Sequence, residues 1–130
     1  MSKTGKCLCG KVNLSYTSEP QMFFICHCTN CQGSTGSPLA SIIVVPESDF
    51  HAEGVTSSYE CDAKVTRSFC PNCGSQMFSR IASAPGIVAI KTGILDQQPD
   101  MQPQFSCWIQ SKPEWFDLVS PELSFEQNPG

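Results

Sequence analysis

Positive charge is scarce in this sequence. Eight lysines and arginines stand against twelve aspartates and glutamates in 130 residues, for a formal net charge of −4, and the cations are spread thinly along the chain. Without a basic stripe to neutralise phosphates, nucleic acid and anionic lipid surfaces are excluded as partners. Long apolar runs are missing too, since the most apolar stretch, PLASIIVVP, falls far short of a membrane span. The opening MSKTGKCLCG has no apolar segment of the kind that directs secretion, so the expectation is a soluble, cytoplasmic chain. No stretch holds a helical period over about ten residues, and there is no internal repeat, low-complexity tract or linker.

What remains is an all-β pattern. Val12, Leu14 and Tyr16 alternate as in a half-buried strand, and LASIIVV reads as a more deeply buried one closed by Pro46. TSSYEC, KVTRSF, SQMFSRI, GIVAIKTGIL and FSCWI are further strand candidates, and ten prolines with nine glycines break the chain into short pieces. At 130 residues and 14.2 kDa the chain is expected to form one domain over residues 1–130, with a loose tail from about residue 121.

Cysteine is what the sequence has in excess. Nine cysteines fall at 7, 9, 26, 28, 31, 61, 70, 73 and 107. In a compartment that keeps thiols reduced, disulfides are disfavoured, and an odd count suits metal sites, which need no pairing. Seven of the nine form three tight clusters: Cys7-Leu8-Cys9, Cys26-His27-Cys28-Thr29-Asn30-Cys31 and Cys70-Pro71-Asn72-Cys73. In an extended segment Cys7 with Cys9, and Cys26 with Cys28, point the same way and can share one ion. In CPNCG the proline presets a turn, and Asn72 and Gly74 tolerate the left-handed backbone that brings both sulfurs to one zinc about 2.3 Å away. CTNCQG is a looser version, with Thr29 and Asn30 in the turn. Seven sulfurs divide as four for a closed structural site and three for an open catalytic one. Spacing leaves two partitions: Cys7, Cys9, Cys70 and Cys73 closing one site beside an open Cys26, Cys28 and Cys31, or Cys28 and Cys31 joining Cys70 and Cys73 as a ribbon. Chain economy favours the first, because Cys26, Cys28 and Cys31 can chelate one ion by themselves.

CLCGKV near the start, CHCTNCQGSTGS, RSFCPNCGSQMFSR and WIQSKPEWFDL, in that order, resemble the glutathione-dependent formaldehyde-activating enzyme (GFA) family, which also includes centromere protein V. The likeness spans roughly residues 5 to 120. It implies a fold of small antiparallel sheets stapled by zinc, a β-tent. It implies two zinc ions per chain, a structural one on Cys7, Cys9, Cys70 and Cys73 and a catalytic one on Cys26, Cys28 and Cys31. It also implies a carbon-sulfur lyase that joins the thiol of glutathione to formaldehyde and reverses that reaction. Family members often carry a basic residue directly after the third cysteine of CxCxxC, where this chain has Gln32, which donates hydrogen bonds but brings no charge.

The chemistry of the residues agrees. Three thiolates around zinc carry a net charge of about −1, which weakens the metal as a generator of hydroxide and favours a further sulfur ligand, a substrate thiol held as its thiolate. The same cysteines also suit a zinc-stapled binding module or a thiol redox sensor. Of the remaining residues, His27 points away from its flanking cysteines in an extended strand and reads as a surface histidine or one that braces a ligand. His51 reads as exposed, and Cys61 and Cys107 as small buried hydrophobes. Phe23, Phe24, Phe69, Trp108, Trp115 and Phe116 read as packing residues, with Trp115 in KPEWFDL a candidate pocket wall.

Overall fold

The computed structural model describes residues 2–118 and 123–129. Ten short strands carry the described chain: β1 Lys3–Lys6, β2 Asn13–Tyr16, β3 Met22–Cys26, β4 Ala40–Pro46, β5 His51–Glu53, β6 Ser57–Glu60, β7 Val65–Phe69, β8 Gln76–Ile81, β9 Ile87–Lys91 and β10 Phe105–Cys107. A small sheet has the order β1-β2-β5, and a large sheet of seven strands has the order β10-β3-β4-β9-β8-β7-β6. Pairing is antiparallel throughout except at one edge, where β10 runs parallel to β3. The expected antiparallel assembly is therefore found, with one mixed edge. Among the described residues no helix is long and apolar enough to cross a membrane.

One helix interrupts the strands where the sequence predicts only a turn: α1, Thr29–Thr35, seven residues long. It is too short to show a period, and its ends define it. Cys28 caps the N-terminus, its sulfur accepting from the Cys31 amide at 3.2 Å, and Gly36 closes the other end in the left-handed region at φ 69°.

β4 is an inner strand of the large sheet, next to the central strand β9. Lying between β3 and β9, it is covered on both faces, which is why it reads as a continuous apolar run rather than an alternating one. Ile43 and Val45 join Val12, Leu14, Tyr16, Phe23, Met77, Phe78, Val88 and Ile90 in one core, together with Cys7 and Cys70. Ile42 and Val44 face the other way, toward Ala40, Ala89, Cys26, Cys31 and Cys107. Each face of the sheet thus owns one core, and each core owns its own cysteines.

Two expectations near the C-terminus are corrected. Only Phe105–Cys107 of FSCWI is strand, because Trp108 turns left-handed, φ 55°, into a 3-10 turn over Ile109–Ser111. The end of the chain is not a loose tail over residues 123–129. The Phe125 amide donates to the Ser106 carbonyl at 2.9 Å, the Trp108 amide to the Gln127 carbonyl at 2.9 Å, and the Phe125 ring meets Phe105 edge-on at 5.6 Å. A single aromatic ring anchors a mostly polar segment, and composition does not show what it docks against. Residues 121, 122 and 130 of the expected tail lie outside the described residues.

Ile43 is fully buried at the middle of β4. Ile43→Ala is expected to lower the unfolding free energy by about 2–5 kcal/mol, measured as an earlier chemical denaturation midpoint with an unchanged slope.

Candidate metal centres

Cys7 and Cys9 lie in the turn between β1 and β2 of the small sheet, and Cys70 and Cys73 in the turn between β7 and β8 of the large one. Their four sulfurs lie within 4.8 Å of one another, with Cys7 to Cys9 at 3.6 Å and Cys9 to Cys70 at 3.7 Å. Bonds of about 2.3 Å to a tetrahedral zinc set sulfur pairs about 3.8 Å apart, so the spacing fits that ion. The local backbone explains the convergence. Cys7 and Cys9 do not sit in the extended segment that the sequence predicts. They sit in a tight turn, in which the Gly10 amide donates to the Cys7 carbonyl at 3.0 Å and Gly10 is left-handed at φ 83°. In CPNCG the glycine behaves as expected: Gly74 is at φ 80° and its amide donates to the Cys70 carbonyl at 2.8 Å. Ser75, which sequence reasoning misses, links the two turns. Its hydroxyl accepts from the Leu8 amide at 2.9 Å and lies 3.3 Å from the Cys73 sulfur, a hydrogen bond that holds the Cys73 thiol down to about 5.

The second group is local. Cys26 ends β3, Cys28 caps α1 and Cys31 lies in its first turn, with all three sulfurs within 4.8 Å of one another. The structure therefore brings the seven cysteines together as four and three, and the ribbon of Cys28, Cys31, Cys70 and Cys73 is not formed. Cys26 and Cys31 are buried and Cys28 is half-buried. Hydrogen bonds from Cys26 and then Cys31 hold the Cys28 thiol far below its ordinary value. Cys26 is pushed up, first by its hydrogen bond with Cys107 and then by that with Cys28, and Cys31 is pushed up by Cys26 and Cys28. Sulfurs this close share one negative charge readily but carry three only beside a cation, so the donor set suits a soft dication.

The surroundings of this group revise several expectations. Cys107 is buried, as expected, but it is more than filler, because it stands opposite Cys26 in the parallel pair and its thiol engages that sulfur. Cys61 is only half-buried, with the Asn30 side-chain amide donating to its sulfur at 3.8 Å. His27 belongs to neither cysteine group, yet it is fully buried rather than on the surface. Its Nδ1 lies 2.8 Å from the Pro38 carbonyl, and its ring meets Phe116 edge-on at 5.3 Å. His51 is exposed, 3.2 Å from Glu53. Phe23 and Phe24 pack in the two cores, Phe69, Trp108 and Phe116 are half-buried, and Trp115 is 74% exposed, so it is not a packing residue. Gln32 donates from Nε2 to the His27 carbonyl at 2.7 Å and to the Ser111 carbonyl at 2.8 Å, which ties α1 to the C-terminal 3-10 turn.

The charge that Gln32 lacks comes from elsewhere. Arg67 on β7 and Lys91 on β9 are 8% and 7% exposed, and sequence reasoning misses both. Burial pushes the Lys91 ammonium down, while the charges of Cys31, Cys26 and Cys28 pull it back up, and Arg67 lowers Cys28. The one sequence signal is Lys91 at the end of IVAIK, in alternation with Ala89 on a strand with no other charge. A surface recess of about 420 Å³, bordered by Lys6, His51, Glu53 and Asp96, contains none of these cysteines, and its Lys6 is already paired with Asp96 at 2.8 Å.

The family model that matches the chain, over residues 2–111, is described as glutathione-dependent formaldehyde-activating enzyme. A crystal structure of a Rhodobacter sphaeroides protein is similar in fold, with a TM-score of 0.59 at 20% identity, covering 75% of this chain and 91% of that one. No curated protein matches the chain.

Breaking the two groups should have different consequences. A structural zinc is worth on the order of 10–16 kcal/mol, as much as the roughly 5–15 kcal/mol net stability of a domain. Cys73→Ala breaks a group that ties two sheets together, so unfolded or insoluble protein is expected. Cys31→Ala breaks a group built from one local segment, so a folded protein with one fewer ion than wild type is expected. Circular dichroism and elemental analysis of the two variants beside wild type, which should bind two zinc ions, check this. A native Cys73→Ala beside an unfolded Cys31→Ala would reverse the assignment.

Proposed function

Because the chain belongs to the glutathione-dependent formaldehyde-activating enzyme family, we propose that it makes and breaks the carbon-sulfur bond between a glutathione-type thiol and formaldehyde or a similar small aldehyde. The reaction is placed at Cys26, Cys28 and Cys31 as the catalytic zinc site, with Cys7, Cys9, Cys70 and Cys73 holding a structural zinc. The observation that carries the proposal is the inequality of the two groups: one has four sulfurs and is complete, and the other has three, with Cys28 only half-buried.

Zinc in a three-thiolate donor set supplies a soft Lewis-acidic position that prefers a further sulfur and keeps a bound thiol deprotonated. The protein's own residues prepare for it. The Cys31 amide, 3.2 Å from the Cys28 sulfur, stabilises negative charge there, and Cys107 steadies Cys26 from the neighbouring strand. With a zinc dication held by the three thiolates, a further thiolate would take the net charge of the site from about −1 to about −2, and the buried Arg67 and Lys91 would oppose that accumulation. In the reaction the thiolate sulfur adds to the carbonyl carbon, a carbon-sulfur bond forms, and the carbonyl π pair moves to oxygen, which takes a proton. The product is a hydroxymethyl thioether. The reverse step breaks the same bond and returns thiol and aldehyde.

Cobalt substitution tests this reading. Glutathione is expected to strengthen the sulfur-to-metal charge-transfer band of the cobalt protein as a further thiolate joins, whereas S-methylglutathione should leave it nearly unchanged, a thioether being a poor ligand. Equal responses to both would show that the peptide is recognised without its sulfur.

A further inference from the structure

The sheet face that carries Cys26 continues past it. Register pairs Cys26 with Ala40, Phe24 with Ile42, Ile42 with Lys91, Ala89 with Ser79, and Ser79 with Arg67. Directly paired residues share a face, as do residues two apart on one strand. Ser79 therefore stands between two cations, beside Arg67 on one strand and diagonal to Lys91 on the other, at Cβ separations of about 5 Å and about 7–8 Å. All three side chains are more than nine-tenths buried, with exposures of 8% for Arg67, 7% for Lys91 and 3% for Ser79.

Among the described residues none of the three meets a carboxylate. The ion pairs among the described residues are Lys6 with Asp96, His51 with Glu53 and Arg80 with Glu47, so neither buried cation meets a carboxylate. The Ser79 hydroxyl is buried without a hydrogen-bond partner. Burying charges of one sign beside an unpaired hydroxyl is unfavourable unless something negative completes the set. A thiolate in the cysteine group answers the charge, but it leaves the Ser79 hydroxyl without an acceptor. A carboxylate answers both, since its two oxygens accept from a guanidinium, an ammonium and a hydroxyl together.

Resting on the thiol chemistry proposed above, we propose that Arg67, Lys91 and Ser79 form a carboxylate-binding recess continuous with the Cys26, Cys28 and Cys31 site, which holds the carboxylate of the thiol substrate. The recess fixes the substrate class as thiols that carry an acid group, and it supplies from β7, β8 and β9 the cationic contact that Gln32 does not.

The experiment compares glutathione with its diethyl ester, which keeps the thiol and removes both carboxylate charges, on the cobalt-loaded full chain. Wild type is expected to bind glutathione about tenfold or more tightly than the ester, the ratio that one charged hydrogen-bonded contact gives. Arg67→Gln and Lys91→Met should bring that ratio to about one, weakening glutathione about tenfold more than the ester, whose thiolate charge both cations also oppose. Ser79→Ala, which removes a hydroxyl that bonds nothing in the protein, should stay folded and lower the ratio severalfold. A ratio near one in wild type, or equal losses for both thiols in the variants, overturns the recess and leaves the two cations as counter-charges to the sulfurs alone. If neither thiol perturbs the cobalt spectrum, the thiol reading fails, and acetate then tests the recess separately. Acetate should raise the melting temperature of wild type more than that of Lys91→Met at equal ionic strength, and equal shifts would overturn the recess as well.

Discussion

The convergence of Cys7, Cys9, Cys70 and Cys73 is the constraint on which the rest of the structure depends. The small sheet has three short strands, too few to stand alone, and it reaches the large sheet through the turns that carry these four sulfurs. Ser75 adds a hydrogen bond between the turns, and Asp96, following the 3-10 turn after β9, receives Thr4 and Lys6 from β1 at 2.7 and 2.8 Å. These polar ties are exposed and individually weak. With the sulfurs held together, Cys7 and Cys70 become part of the core that includes Ile43, Met77 and Ile90. The sulfurs and the packing of Leu14 and Tyr16 against the core of Ile43 and Val45 thus close the same junction between the sheets.

The second constraint is the period of two along β4. Because neighbouring residues on a strand face opposite ways, Ile43 and Val45 are assigned to the four-cysteine side and Ile42 and Val44 to the three-cysteine side. The large sheet thus keeps the four-cysteine group and the three-cysteine group in separate cores, one on each face. The side of Cys26, Cys28 and Cys31 is also the side on which Lys91, Ser79 and Arg67 fall, without any loop having to bring them there.

How much of this is legible in the sequence depends on range. CPNCG shows its turn because proline, asparagine and glycine act within a few residues, and LASIIVV shows burial on both faces because its last four residues, IIVV, are apolar without a gap. The grouping of cysteines as four and three agrees with chain economy, since Cys26, Cys28 and Cys31 are neighbours and the other pairs are not. The rest is non-local. The turn at Cys7 differs from the extended segment expected because Gly10 bends the backbone two residues before the strand pattern begins. β3 hides in MFFIC, where consecutive apolar residues show no alternation, and its pairing with β10 joins residues about eighty positions apart in the chain. The C-terminal segment looks loose because its anchor, Phe125, acquires meaning only beside Phe105.

Arg67 and Lys91 show most clearly why local pattern falls short of the site. In sequence each is one charge on a short strand, and a lone strand cation reads as solvent-facing. Register overrides that reading, since Arg67 pairs with Ser79, Ser79 with Ala89, and Lys91 with Ile42, on a face whose neighbours include Cys26 and Cys31. Gln32 completes the reasoning from the opposite side. Both hydrogen bonds from its side-chain amide go to backbone carbonyls, those of His27 and Ser111, so it serves to dock α1 and contributes no charge to the sulfurs. Positive charge beside an anionic sulfur site is an electrostatic requirement of place, not of sequence position, and two strands distant in the chain can meet it as well as the residue next to a ligand.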